Sequence, residues 1–95
     1  MTNSKQSESE IILELAKKRR ALQFGEFQLS AGGTSSYYFD GRIITLDPEA
    51  GYHVAKAILP ILKECDAQAI AGPTLGADPI VSSVSVVSHM EGHPV

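Results

Sequence analysis

The chain has 95 residues, of which 43% are apolar, and its mean hydropathy is close to zero. A chain of this length can form one small soluble domain at most, because it buries only about 60 to 65% of the surface that it exposes when unfolded. Eight Lys and Arg against eleven Asp and Glu give a net charge of −3, which excludes the broad basic face that nucleic-acid binding requires.

Cysteine content and hydrophobic runs indicate the compartment. Cys65 is the only cysteine, so no internal disulfide can form, and we expect it to be neither a nucleophile nor a metal ligand. The first twenty residues lack the apolar core of a signal peptide, and no run of about 18 apolar residues occurs. The sequence therefore predicts a cytoplasmic protein that is neither exported nor inserted in a membrane.

The N-terminal part predicts a helix from about residue 8 to 22, after residues 1–6, which we expect to be disordered. Ser7 and Glu10 have the spacing of a helix capping box. The apolar positions fall on one stripe and comprise Ile11, Ile12, Leu15, Ala16 and Leu22. The KKRR run at 17–20 suits the negative end of the helix dipole, and a phosphate-attracting patch is the alternative.

A β-hairpin is predicted next, with strands at 26–30 and 36–40 after a stop at Gly25 and around a break at 31–35. Tyr37, Tyr38 and Phe39 are consecutive, so their rings cannot all face one core, and at least one must point outward. Such a ring could line the pocket of a flat ligand. The alternative is that the rings fill both faces of a strand that a helix and a dimer partner cover.

The second predicted helix begins at Asp47-Pro48 and runs to about residue 64. An aspartate cap followed by proline is a strong helix-start pattern. Pro60 should bend or split this helix near 56–60, because it removes one backbone hydrogen bond. The buried stripe comprises Val54, Ala55, Ile58, Leu59 and Leu62. We expect His53, His89 and His93 to be surface imidazoles, because none has a partner at metal-ligand spacing.

The segment AGPTLGADPI, residues 71–80, joins a short buried strand at 67–71 to a third helix. We expect Asp78 to cap this helix and Glu91-Gly92 to end it, with His93-Pro94-Val95 entering another strand. A glycine-containing turn before a helix gathers amides that suit phosphate oxygens, although a carboxylate at the cap would repel them. The spacing matches neither common phosphate-loop motif, so an ordinary structural loop is the alternative.

A strand between helices belongs to a parallel sheet, yet the sequence holds only one such strand, and a lone strand leaves both hydrogen-bonding edges unpaired. The fold class predicted is therefore α/β but apparently truncated. We expect one partial domain over residues 1–95. Its parts are a helix and hairpin at 8–42 and the start of an α/β core at 47–95.

Two motifs together carry a resemblance to a known family. FGEFQLSAGGTSSYYFDGR at 24–42, followed by AGPTLGADPI, resembles the N-terminal half of orotate phosphoribosyltransferases. The resemblance implies the N-terminal part of a type I phosphoribosyltransferase fold, in which a helix and a hairpin hood precede an αβα core. It also implies a magnesium-dependent glycosyltransferase, active as a homodimer. Such an enzyme makes orotidine 5′-phosphate and pyrophosphate from orotate and phosphoribosyl pyrophosphate in pyrimidine (UMP) biosynthesis.

The resemblance implies roles for individual residues. Tyr38 and Phe39 would present backbone groups to the orotate ring, and Ser30 would lie beside the phosphoribosyl group. The loop would cradle phosphoribosyl pyrophosphate with the amides of four residues, which are Thr74, Leu75, Gly76 and Ala77. Many relatives carry lysine at the position of Ser30 and a Tyr-Lys pair at Leu75-Gly76, so two cationic contacts are absent here.

Magnesium would be bound through the substrate, because the family's acidic phosphoribosyl loop and its lysine-bearing catalytic loop have no counterpart in this chain. We therefore assign no catalytic residue and no metal ligand. The first interpretation is an inactive N-terminal fragment of an orotate phosphoribosyltransferase. The alternatives are a non-catalytic phosphoribosyltransferase-like binding or regulatory module and a complete small enzyme. Neither a nucleic acid nor a membrane is an expected partner.

Overall fold

A computed structural model describes residues 6–95 of the chain. The first helix, α1, spans Glu8–Lys18 and begins with the predicted capping box, in which the Ser7 hydroxyl accepts from the Glu10 amide. Four residues fewer are helical than predicted. The prediction of disorder at 1–6 lies outside the described residues except for Gln6, whose side chain donates to Glu14. Among the described residues, no helix has the length and apolarity needed to cross a bilayer.

Helix α1 ends early because Arg20 adopts a left-handed backbone with φ 62°. The amide of Ala21 then donates to the Ala16 carbonyl, and that of Arg20 to Lys17, which is a Schellman ending. The left-handed position of such an ending is usually glycine, so an arginine there does not indicate in the sequence that the helix ends. The prediction that four cations complement the dipole is correct for Lys17 and Lys18 only.

Arg19 connects the end of α1 to the start of the longest helix, α3, which spans Pro48–Glu64. Its Nε lies 2.9 Å from Asp47 Oδ1, and its Nη2 lies 2.9 Å from Glu49 Oε1. Asp47 also accepts from the Ala50 amide as the predicted N-cap. The pKa of Asp47 is held below its ordinary value, chiefly by the Arg19 hydrogen bond and next by the Ala50 amide.

Because the folded state lowers the pKa of Asp47, its stabilising effect is complete above the unfolded pKa and is lost as pH falls through the folded one. We expect the free energy of unfolding to decrease as pH falls below about 4, and Asp47→Asn to flatten this decrease. Urea titrations at several pH values measure it. Glu64→Gln removes an equal charge and should keep the decrease; equal profiles for the two variants would contradict the assignment.

The hairpin consists of β1, Leu22–Gln28, and β2, Thr34–Phe39, paired antiparallel. Both strands differ from the predicted limits. Gly25 lies within β1 instead of stopping the chain, because the register shift between Phe24 and Phe27 accommodates it. The turn uses left-handed glycines at 32 and 33, with φ 101° and 81°. A short helix that the sequence did not predict, α2 at Gly41–Thr45, follows and is capped by Asp40.

Helix α3 has the predicted limits and runs without interruption through Pro60. Of the predicted bend or split, the split is therefore wrong, and the bend stays a prediction. The proline is exposed, while Ala55 and Leu59 on the opposite face are buried. Packing of this apolar face outweighs the loss of one backbone bond. The helix ends like α1, with Asp66 at φ 57° and the Ala67 amide on the Leu62 carbonyl.

The last helix, α4, spans Asp78–Met90, close to the predicted limits. Residues 66–73 form no strand, which corrects the prediction for 67–71, because β1 and β2, the strands among the described residues, pair only with each other. Residues 93–95 are likewise not a strand. Val95 instead packs on α4, and its amide donates to the buried Ser88 hydroxyl at 3.0 Å.

Two apolar clusters form the core, and α3 contributes to both. The first joins α1, the start of β1 and α2 to Ala50 and Val54 of α3. The second joins Ala55 and Leu59 of α3 to Val84 and Val87 of α4, with Ile70 packed against it. His53 also lies between α1 and α3. Its Nδ1 is 3.1 Å from Glu8, which corrects the prediction of a surface imidazole.

Candidate functional site

The loop between residue 71 and α4 leaves backbone amides without partners. Its turn is closed by the Ala77 amide, which donates to the Pro73 carbonyl at 3.0 Å, and by the Asp78 amide, which donates to Leu75 at 3.1 Å. Among the described residues, the amides of Thr74, Leu75 and Gly76 donate no hydrogen bond. All three residues are exposed. The loop can therefore donate to an anion from residues 74–76, whereas the Ala77 amide closes the turn.

The two glycines of the loop have different roles. A Cβ added at Gly72 would lie 2.6 Å from the Cβ of Ala77, far inside van der Waals contact. A Cβ at Gly76 would meet no atom within 4 Å. Gly72 is therefore required for the loop to fold back on itself, and Gly76 leaves open space beside the unbonded amides.

Thr74 and Asp78 fix the ends of the turn. The Thr74 hydroxyl donates to the Asp78 carboxylate, at 3.0 Å from Oδ1 and 3.2 Å from Oδ2. Asp78 was expected to cap α4, but Ala77 occupies the N-cap position and makes no side-chain cap bond. The carboxylate belongs to the first helical residue and is used by the loop. The i, i+4 spacing of the two residues is the only signal of this bond in the sequence.

The hairpin exposes all three consecutive aromatic residues, with 54% of Tyr37, 46% of Tyr38 and 52% of Phe39 accessible. The prediction of an outward ring is confirmed. The side chains of Tyr38 and Phe39 point to opposite faces of the hairpin, because the two residues are consecutive in β2 and pair with Gln23 and Leu22 of β1. The Tyr38 ring instead contacts Phe27, with centroids 5.8 Å apart. One pocket can therefore not contact both rings.

The free edge of β2 presents the main-chain groups of Phe39. The Asp40 amide donates across the hairpin to Ala21 at 2.8 Å. Because ladder bonds alternate along a strand, the amide and carbonyl of Tyr38 also point toward β1, and those of Phe39 point away from it. Phe39 is therefore the residue whose backbone can contact a flat ligand on this edge.

Ser30 lies at the exposed tip of the hairpin, where the Leu29 amide donates to Gly33 and the Gly32 amide to Leu29. No hydrogen bond and neither apolar cluster of residues 6–95 joins the hairpin to the loop at 74–77. The structure thus places the predicted site residues in two groups, one on the hairpin and one in the loop before α4. Gly51 of α3 lies beside Ser83 of α4, and Lys56 pairs with Glu91, so the two helices run in the same direction and the loop lies on the side of the N-terminal end of α3.

Two cavities lie near the ends of α3. One of about 440 Å³ is lined by six residues next to Phe39 along the chain, namely Asp40, Arg42, Ile43, Leu46, Asp47 and Pro48. Arg42 binds Asp40 there, and the hydrogen bond from its guanidinium lowers the pKa of Asp40. The other, of about 460 Å³, lies between Leu59, Ser88 and Val95 and contains none of the predicted site residues.

The donor set for a metal ion is sparse. Residues 6–95 contain no group of three or more His, Cys, Asp or Glu side chains that could hold a metal ion together. Asp78 is the only carboxylate in the loop and helix start. Because Mg²⁺ requires about six oxygen ligands, the described side chains do not form a site for it by themselves.

Comparison with known proteins identifies relatives of this chain. No family model matches it. It is 44% identical over 86 residues to the orotate phosphoribosyltransferase of Nostoc sp. strain PCC 7120, a match that covers 90% of this chain and 39% of the relative. It is 42% identical over 90 residues to the orotate phosphoribosyltransferase of Aquifex aeolicus, covering 93% of this chain and 49% of the relative.

Solved structures give the same result. The Mycobacterium tuberculosis H37Rv orotate phosphoribosyltransferase in complex with inorganic phosphate superposes with a TM-score of 0.70 at 28% identity, over 84% of this chain and 47% of that one. The chain thus spans less than half the length of these relatives. The helices and the two-stranded antiparallel hairpin match these solved structures over part of their length. The chain belongs to the orotate phosphoribosyltransferase family and corresponds to its N-terminal portion.

Proposed function

We propose that this chain supplies the orotate-binding hairpin and the diphosphate-binding loop of an orotate phosphoribosyltransferase. The reaction transfers the phosphoribosyl group of phosphoribosyl pyrophosphate to orotate. A bond forms between a ring nitrogen of orotate and the anomeric carbon, that nitrogen gives up its proton to the departing diphosphate or to water, and the bond from the anomeric carbon to the diphosphate breaks. Its electron pair leaves with pyrophosphate, and orotidine 5′-phosphate is the other product.

The observation that carries this proposal is the set of unbonded, exposed amides at Thr74, Leu75 and Gly76. Backbone amides near a helix N-terminus bind phosphate oxygens well, because their dipoles point at the anion. The M. tuberculosis relative, whose structure was solved with inorganic phosphate, supports an oxyanion site in this fold. Amides fixed by the turn would stabilise the charge that develops on the departing diphosphate.

The hairpin would hold orotate in line with the bond that breaks. The exposed main-chain groups of Phe39 would contact the flat ring, and Tyr38 would fix the strand through its contact with Phe27. Ser30, at the exposed hairpin tip, would contact the phosphoribosyl group with its hydroxyl. Holding the two reactants in one geometry supplies much of the catalysis in a displacement of this kind.

Further features of the family belong to the same proposal. Magnesium would neutralise part of the diphosphate charge, with substrate oxygens and water as its ligands, since the described side chains do not form a site for it. We also propose that the parent enzyme is a cytoplasmic homodimer. Because this chain offers no cationic side chain at residues 74–77, we propose that the 95 residues alone have no transferase activity.

A chimeric enzyme tests the proposal. Residues 1–95 would replace the matching N-terminal portion of the Aquifex aeolicus enzyme, to which they are 42% identical. We expect the chimera to form orotidine 5′-phosphate from orotate and phosphoribosyl pyrophosphate, and the 95-residue chain to form none. A folded chimera that binds neither substrate would contradict the proposal. It would favour a non-catalytic module.

A substitution at Phe39 separates backbone from side-chain recognition. Phe39→Pro removes the outward N–H, and a strand edge tolerates proline, so we expect the chimera to remain folded. Losing one hydrogen bond to an anionic ligand should raise the KM for orotate by roughly tenfold or more. Phe39→Leu keeps the N–H and should change the KM by less than about threefold. A larger effect of leucine than of proline would assign recognition to the ring.

A further inference from the structure

The diphosphate loop lies in an almost uncharged part of the chain. Between Asp66 and Glu91, Asp78 is the only Asp, Glu, Lys or Arg residue. It is exposed, and no ion pair among residues 6–95 includes it. Among the residues next to it along the chain, the loop that offers amides to an anion therefore has one full charge, and that charge is negative.

This charge opposes the binding of a bare diphosphate. Backbone amides and the helix N-terminus supply only partial positive charges, equivalent to about half an elementary charge at the helix end. The Asp78 carboxylate belongs to the first residue of α4 and lies 3.0 Å from the hydroxyl of Thr74, the first of the three residues with free amides. A diphosphate with several negative charges is attracted by the amides and the helix N-terminus and repelled by the Asp78 carboxylate, so the carboxylate weakens its binding.

We propose that Asp78 makes this loop select magnesium-loaded diphosphate over the metal-free anion. This inference rests on the proposed function, because it takes the loop as the diphosphate site. A bound divalent cation removes two units of charge from the ligand, so the repulsion by Asp78 becomes small for the loaded form. The carboxylate acts as a specificity-determining charge without being a metal ligand.

Asp78 has a second role that the test must separate from the first. Its carboxylate accepts from the Thr74 hydroxyl and so fixes the turn. Asparagine at position 78 retains an oxygen that can accept this bond and removes only the charge. Thr74→Val removes the hydroxyl and retains the charge. The two variants therefore report charge and geometry separately.

Calorimetric titration of the chimera with pyrophosphate tests the proposal, once with EDTA and once with excess Mg²⁺. We expect Asp78→Asn to tighten binding of metal-free pyrophosphate roughly fivefold to tenfold and binding of the magnesium form less than twofold. The gain should shrink at high salt, because screening weakens charge effects but not loop geometry. Asp66→Asn, which removes a charge outside the loop, should change neither titration, and Thr74→Val should weaken both titrations alike.

Equal changes for both ligand forms, or none, would overturn the proposal and leave Asp78 with a structural role only. A chimera with wild-type residues that binds neither form would overturn the proposed function itself, and this inference with it. The two failures are distinguishable, because the first requires normal binding of the magnesium form before any substitution.

Discussion

Replacing Gly76 with valine in the chimera is expected to weaken the binding of phosphoribosyl pyrophosphate roughly tenfold to a hundredfold, the cost of one hydrogen bond to a charged group. A Cβ at this position meets no atom within 4 Å, so the loop has room for the side chain. The branched methyl groups would occupy the space above the amides of Leu75 and Gly76. Ligand titration measures the affinity, and urea unfolding checks that stability is unchanged.

Two further variants make the Gly76 result interpretable. Gly76→Ala places one methyl group in the same space and should give an intermediate loss. Ser82→Val adds similar bulk to an exposed position on α4, outside the loop, and should leave the affinity unchanged. Unchanged binding by Gly76→Val, in a protein that still binds orotate, would exclude the loop amides from the diphosphate site.

Gly72→Ala is expected to destabilise the chimera by about 1 to 3 kcal/mol, the usual cost of forcing a methyl group into a filled space. The new Cβ would lie 2.6 Å from that of Ala77, and both positions belong to backbone that the turn bonds fix. Relief requires the loop to open, so diphosphate affinity should also fall. Urea unfolding and pyrophosphate titration measure the two effects.

The double variant Gly72→Ala, Ala77→Gly removes the opposing methyl group. We expect it to recover most of the stability and the affinity that Gly72→Ala loses, while Ala77→Gly alone has a small effect because glycine is acceptable at an N-cap. Such recovery is a coupling between the two positions, as double-mutant cycles define it. Additive losses would show that the two Cβ atoms do not oppose each other.

Much of the fold was predictable where local chemistry decides the structure. The Asp47-Pro48 start and the apolar stripe predict the start and the approximate end of α3, and Ser7 with Glu10 predicts the start of α1. The end of α1 was not predictable, because Arg20 adopts a left-handed backbone conformation that its residue type does not favour. The neighbouring Arg19 makes tertiary ion pairs with Asp47 and Glu49, which are visible only in the folded structure. The bulge that contains Gly25 also depends on strand pairing and not on local preference.

The candidate site was predicted mainly through the family resemblance. Physical reasoning alone left the loop at 71–80 open between a structural turn and a phosphate cradle. Its spacing matches no common phosphate motif, and the free amides at 74–76 are visible only in three dimensions. Two hydrogen bonds of the loop were likewise not predictable from the sequence, because they depend on how the turn closes. They are the bond from the Ala77 amide to the Pro73 carbonyl and the bond from the Thr74 hydroxyl to the Asp78 carboxylate.

Helix α3 has a mechanical consequence for substrate alignment. Its 17 residues form a rod about 25 Å long, which packs against the start of the hairpin through one apolar cluster and against α4, the helix that follows the loop, through the other. A tilt of about 5° displaces one end of such a rod by roughly 2 Å relative to the other. Substitutions under the middle of this rod, at Val54 or Ala55, could thus misalign two reactants that neither residue touches, in a reaction where about 1 Å of displacement is costly.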